Sequence, residues 1–208
     1  MRRQLIITAG LLLVLSGCGS SGDSMGTGGT GGVDSPSGPG PVIDNTQWRP
    51  TDKGEEFFGT APEDATCPPP EGDCPDLEGD ECVDVPPGCL VSFVAECLDQ
   101  FTVLAVDTEV CDWLTLEQPL LRDVFEGDEI EIRTFHSPLN GPSGGEARIS
   151  LTLGDQMIFD ERVPIPADSG PINGTWIATK DFQAGTAMLY HVDNHGDNEY
   201  LLIEVNIL

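Results

Sequence analysis

From Phe101 onward the chain is written in short β-type runs separated by turn residues. Glu129-Ile130-Glu131-Ile132-Arg133 alternates polar and apolar, and so does Ala147-Arg148-Ile149-Ser150-Leu151-Thr152-Leu153. Phe101 to Val106, Met157 to Val163, Ala187 to Val192 and Tyr200 to Ile207 are β-rich in the same way. A period of two sends successive side chains to opposite faces, so each run has one face to bury. Between the runs stand Glu126-Gly127-Asp128, Asn140-Gly141-Pro142, Gly170-Pro171 and the stretch from Asn194 to Asn198. Short, evenly spaced strands with turn signals predict an all-β fold, an antiparallel β-sandwich of jelly-roll or Ig-like type. Helical periods are scarce. Leu90, Phe93, Val94, Cys97, Leu98 and Phe101 share one helical face, but the same residues suit a buried strand, and both assignments stay open. The roughly 160 residues from Trp48 onward are enough for a proper core.

The N-terminus carries a different message. Met1-Arg2-Arg3 is a basic start, Leu5 to Leu15 is an apolar run, and Ser16 and Gly17 are small. That is the form of a secretory signal, and the run falls short of the about 20 apolar residues that span a bilayer. Leu15-Ser16-Gly17-Cys18 resembles the lipobox of bacterial lipoproteins. The resemblance implies diacylglycerol on the Cys18 sulfur, cleavage before Cys18 and acylation of the new amino group. Several acyl chains, at about 0.8 kcal/mol per buried CH₂, anchor stably where one does not. Gly19 stands where some lipoproteins carry the aspartate of inner-membrane retention, which points to the outer membrane. Residues 1–17 are thus expected to be a signal peptide and 18–47 a tether. Gly19 to Gly40 is mostly Gly, Ser, Thr and Pro, and such a chain cannot bury enough surface to offset its ordering entropy. About 28 flexible residues give an r.m.s. reach of about 30 Å.

Residues 48–97 form an acidic, Cys-rich segment, and 98–208 the sandwich. Apart from Cys18 the cysteines are Cys67, Cys74, Cys82, Cys89, Cys97 and Cys111. An even number in an exported chain predicts disulfides that staple this segment, with fifteen pairings open. Zinc would want CxxC-like pairs, and the spacings here are wider. Glu71, Asp73, Asp76, Glu78, Asp80, Glu81 and Asp84 crowd the same stretch, and calcium takes six to eight oxygens. Glu71-Gly72-Asp73-Cys74-Pro75-Asp76 loosely resembles the thrombospondin type 3 calcium repeats, without their regular D-x-D-x-D-G ladder.

The formal net charge is −27 and lysine occurs only at Lys53 and Lys180. Such a surface repels phosphate backbones, which excludes nucleic acid as a partner; cations, basic proteins or another envelope component remain compatible. Gly141-Pro142-Ser143-Gly144-Gly145 matches G-x-S-x-G, but a nucleophile elbow needs a strand before and a helix after it. Asn173-Gly174-Thr175 is a sequon by pattern only. No paired-carboxylate spacing, P-loop or dinucleotide fingerprint occurs.

The chemistry-bearing cluster is His191-Val192-Asp193-Asn194-His195. Period two puts His191, Asp193 and His195 on one side of a strand, and His136 ends another strand that could reach the same rim. Imidazoles with a carboxylate suit zinc or copper. Asn194, Gly196, Asp197 and Asn198 equally suit a hairpin turn.

Cys111-Asp112-Trp113-Leu114, Leu120 to Val124, Glu126-Gly127-Asp128, Val163-Pro164-Ile165-Pro166, Ala184-Gly185-Thr186 and His191 to Gly196 together resemble a set of uncharacterised myxobacterial lipoproteins, over about half the chain. This implies an envelope address and no activity. The expectation is a lipid-anchored binding or structural module with no catalytic residue assigned. The alternative is a metal-binding envelope protein (zinc, copper or calcium), with catalysis left open.

Overall fold

A computed structural model of the chain describes residues 38–63, 65, 92–98, 101–109, 111–194, 196 and 198–208. Eleven strands and one helical turn are assigned among them. In chain order they are β1 (Gly40–Pro41), β2 (Arg49–Pro50), α1 (Glu55–Phe58), β3 (Phe93–Leu98), β4 (Phe101–Asp107), β5 (Trp113–Pro119), β6 (Glu129–His136), β7 (Gly145–Leu153), β8 (Gln156–Ile165), β9 (Gly170–Ile177), β10 (Ala187–Asp193) and β11 (Glu199–Ile207). The first sheet runs β3-β4-β11-β6-β9, with β1 also on β11, and the second runs β2-β5-β10-β7-β8. Every described pairing is antiparallel.

The eight strands β4 to β11 define the topology. Four of them lie in the order β4-β11-β6-β9 and four in the order β5-β10-β7-β8. Two Greek keys wound into two sheets in this way are a jelly roll, which decides between the two sandwich types left open above.

Alternation explains the core. Ile130 and Ile132 of β6, Ile149, Leu151 and Leu153 of β7, Tyr190 and Val192 of β10, and Leu202 and Val205 of β11 are nearly inaccessible and form one cluster between the sheets. Each aliphatic side chain so buried contributes about 1.5–3 kcal/mol. The turn at Glu126-Gly127-Asp128 also forms: Gly127 has φ 94°, a conformation a side chain resists, and the Asp128 carboxylate accepts the Phe125 N–H at 2.8 Å.

Three boundaries differ from the sequence reading. The segment expected as tether up to 47 is folded from Gly40: β1 pairs with Ile207 and Asn206, and Val42 and Ile43 are core residues. The reason is Asn45, buried at the irregularity between Leu202 and Glu204 of β11. Its amide donates to the carbonyls of Thr102 (2.9 Å), Leu202 (3.0 Å) and Ile203 (3.0 Å), while its oxygen accepts the Trp48 indole N–H at 3.1 Å. Second, the segment 48–97 contributes to both sheets, through β2 on β5 and β3 on β4. The residues 93–98 therefore form a strand and not a helix. Third, Gly170-Pro171 does not separate strands but opens β9, an edge strand, where proline is tolerated.

The two ends of the sandwich differ. The connections β4–β5, β6–β7, β8–β9 and β10–β11 lie at one end, as the registers His136↔Tyr200, Asp107↔Glu199 and Asp193↔Trp113 require. At the other end lie β5–β6, β7–β8 and β9–β10. Gly40, where the chain arrives from its N-terminal part, pairs with Ile207 at this second end.

Candidate functional site

His191 lies near the centre of β10. Its neighbours Tyr190 and Val192 turn into the core, so His191 turns to the outer face of the second sheet. Register places it in a row across four strands: Thr115 of β5, His191, Ser150 of β7 and Asp160 of β8. The face is not open. Phe58 of α1 lies flat on the imidazole at 4.4 Å and 6°, and Trp113 meets it edge-on at 4.7 Å. His191 is therefore 0% exposed.

Arg148 fastens this cover. It donates to the carbonyls of Phe57 and Phe58 at 3.3 Å each and its guanidinium lies 5.7 Å from the Phe58 ring centroid. It also pairs with both oxygens of Asp160, at 2.6 and 3.2 Å. Burial works against ionisation of Asp160, but hydrogen bonds from Arg148 and Ser150 and the charges of Arg148 and Arg162 outweigh it and hold the carboxyl below its ordinary range.

Ser150, His191 and Asp160 are the residue types of a hydrolytic triad, in an order that does not serve one. The Ser150 hydroxyl donates to Asp160 at 2.6 Å, not to the imidazole. His191 Nδ1 engages the Thr115 hydroxyl at 2.9 Å, and its Nε2 has no partner among the described residues. Burial, reinforced by the Arg148 charge, pushes the imidazole down to about 3, against a Leu114 backbone hydrogen bond and the Asp160 charge. So weak a base does little proton transfer near neutrality. The cluster is a polar patch closed by Phe58.

Of the expected rim, His136 ends β6 in the first sheet, buried, with Nδ1 2.8 Å from the Ser137 carbonyl. It lies at the same end of the sandwich as Asp193 but in the other sheet. Asp193 is half-buried and in register with Trp113 and Arg148. His195 lies outside the described residues. Among the described residues no three His, Cys, Asp or Glu side chains come together as a metal would require. Cys18, Cys67, Cys74, Cys82, Cys89 and the acidic run from Glu71 to Asp84 also lie outside them, as does the side chain of Cys97; Cys111 is buried. Residues 141–144 of the G-x-S-x-G match are exposed and lead into strand β7, with no helix after the serine.

No protein-family model matches this chain, and no curated protein is similar to it in sequence. Some solved structures are similar over part of the chain, each at a low TM-score. A Family 16 Carbohydrate Binding Module-2 is similar at TM-score 0.35 and 4% identity, over 51% of this chain and 77% of that one. The C-terminal CBM6 of LamC from Zobellia galactanivorans is similar at 0.34 and 11%, over 56% and 88%. The CBM22-1–GH10 modules of Clostridium thermocellum xylanase 10B, complexed with xylohexaose, are similar at 0.37 and 16%, over 56% of this chain and 24% of that one.

The far-end connections are held by their own polar contacts. The Asn198 side chain accepts the Asn140 N–H at 2.7 Å, Ser137 donates to Glu199 at 2.8 Å, and Thr108 donates to the Gly196 carbonyl at 2.7 Å and accepts from Asn194 at 3.2 Å. Sequence reasoning picked His191 but not Phe58, Thr115, Ser150, Asp160 or Asn45. The available signal was a serine and a threonine inside otherwise apolar runs, at positions that alternation alone assigns to solvent.

Proposed function

We propose that the protein is a lipid-anchored cell-envelope module, held at the outer membrane through Cys18, that binds a partner with the far end of its jelly roll. The observation that carries this reading is the pairing of Gly40 with Ile207. The chain arriving from Cys18 is stitched to the sandwich at one end, so the anchor holds that end and presents the other. The pinned connections around Thr108, Asn140 and Asn198 then face away from the lipid. A rim fixed before binding loses little entropy on contact. The surface is acidic, so the partner fitted to it is cationic or basic.

Two experiments test the two halves. Labelled fatty acid should enter the wild-type chain and not the Cys18→Ala variant; equal labelling of both rejects the anchor. Envelope components retained by the full chain should be lost on the paired change Asn140→Arg and Ser143→Arg. They should persist on Asp123→Arg at the opposite end. Equal retention by all three proteins rejects the far rim as the binding surface.

A further inference from the structure

The large exposed apolar side chains of the described residues are Leu121 (41%), Ile177 (61%) and Leu208 (55%). They come from three separate parts of the chain, and all stand at the end where the tether enters. Leu121 follows β5 and its N–H donates to the Val42 carbonyl at 3.0 Å, just beyond β1. Leu208 follows β11 and donates to the Glu129 carbonyl at 2.9 Å. Ile177 ends β9 opposite the same Glu129. Leu121 and Leu208 also line one open groove, with Pro39, Pro41 and Ile203. The three side chains thus stand at the end where the chain leaves toward Cys18, Leu121 and Leu208 along one groove and Ile177 across β6 from Leu208.

Single exposed apolar residues need no explanation, but a set gathered on one end of an otherwise acidic domain marks a contact surface. From this we infer that the tether end of the sandwich rests on the lipid surface, with Leu121, Ile177 and Leu208 reaching the acyl boundary. The inference builds on the lipid anchor proposed above. The occupant follows from the length of chain outside the described residues and from where that chain joins the fold. Only about 20 residues separate Cys18 from Gly38, and they join the fold at this end, the one a lipid on Cys18 would hold toward the bilayer. Tethering makes the contact intramolecular, at an effective concentration of about millimolar, so three side chains suffice where a free domain would need a larger patch. Asp123, Glu126, Glu129 and Asp181 are exposed at the same end, with Glu129 between Leu208 and Ile177. Their charge is repelled by anionic lipid, which makes a zwitterionic surface the matching one.

The test uses the full lipidated chain in phosphatidylcholine vesicles that contain a lipid with a diazirine in its acyl chain. After flotation and illumination, lipid adducts are mapped by mass spectrometry. Adducts should be at least about tenfold more frequent on peptides holding Leu121, Ile177 and Leu208 than on those holding Ser143 and Asn198. A chain that floats but shows equal or no labelling at the two ends overturns the inference and leaves the anchor standing. A chain that does not float overturns both. No lipid adducts at the three residues, together with dimers trapped by a bifunctional cross-linker on the same vesicles, would assign these side chains to a second copy and overturn the lipid contact.

Discussion

Asn45 closes a gap that the backbone leaves open. At the irregularity in β11 the carbonyls of Leu202 and Ile203 face it together with that of Thr102, and one amide group satisfies all three while its oxygen holds Trp48. Removing it strands several buried polar groups at once. Asn45→Ala should therefore cost about 2–4 kcal/mol, read as a lower urea midpoint at unchanged slope. Asn45→Asp should not recover the loss, because a carboxylate cannot donate to carbonyls. A loss below about 0.5 kcal/mol would reject this role. His191 gives a second test at the same scale. Its folded value, about 3, lies below the reference 6.5. The unfolded chain thus takes up the proton first as pH falls. The associated stability is complete above about pH 6.5 and is lost progressively between about 6.5 and 3. At pH 5 the wild type should have lost about 2 kcal/mol more, relative to its own value at pH 8, than His191→Leu has. Parallel pH profiles for the two proteins would show that the imidazole is not held neutral by burial.

β9 shows how an element can hide behind its composition. Gly170, Pro171, Asn173 and Gly174 have the chemistry of a turn, yet eight residues run in register along β6. Ile172 and Trp176 face the core, and Gly174 lies where a Cβ would come within 2.8 and 2.9 Å of the Phe159 ring of β8. The glycine is there to admit the phenylalanine, not to turn the chain. Gly174→Ala should cost about 1–3 kcal/mol through overpacking. Adding Phe159→Leu should recover part of that cost, a coupling that a double-mutant cycle reads directly; strict additivity would mean that the two do not meet. The same reasoning separates what was legible from what was not. β4, β6, β7, β8, β10 and β11 announce themselves because their alternation or apolar content matches a half-buried strand. β5 does not, because Gln118 is buried at 1% and accepts the Asp44 N–H at 3.0 Å. β1 and β2 are two residues each and carry no period. His191 could be read as a strand residue of chemical interest, but its burial could not, since the Phe58 that covers it comes from a distant part of the sequence.

At the scale of the whole molecule the two ends of the sandwich differ: Gly40 joins one beside Ile207, and the connections pinned around Thr108, Asn140 and Asn198 form the other. The cysteine-rich insertion between α1 and β3 is a third element with its own requirement. It is rich in Pro, Gly and acidic residues and poor in apolar ones, a composition from which burial is a weak source of stability. Cross-links provide the alternative, since each closed loop restricts the unfolded chain and contributes about 2–4 kcal/mol. Six cysteines remain once Cys18 is set aside, and an even number fits the three bridges with no free thiol expected of an exported chain. In a chain lipidated as proposed above, where the Cys18 sulfur would be a thioether, alkylation under denaturing, non-reducing conditions should then modify none of the seven cysteines. After reduction the same reagent should modify six, and the urea midpoint should fall. The order of the two alkylations matters: reagent added before reduction detects free thiols, and reagent added after it counts bridges. Two or more cysteines reacting before reduction would overturn the framework and return the Cys-rich segment to the zinc alternative, whose thiolate ligands a chelator would then expose.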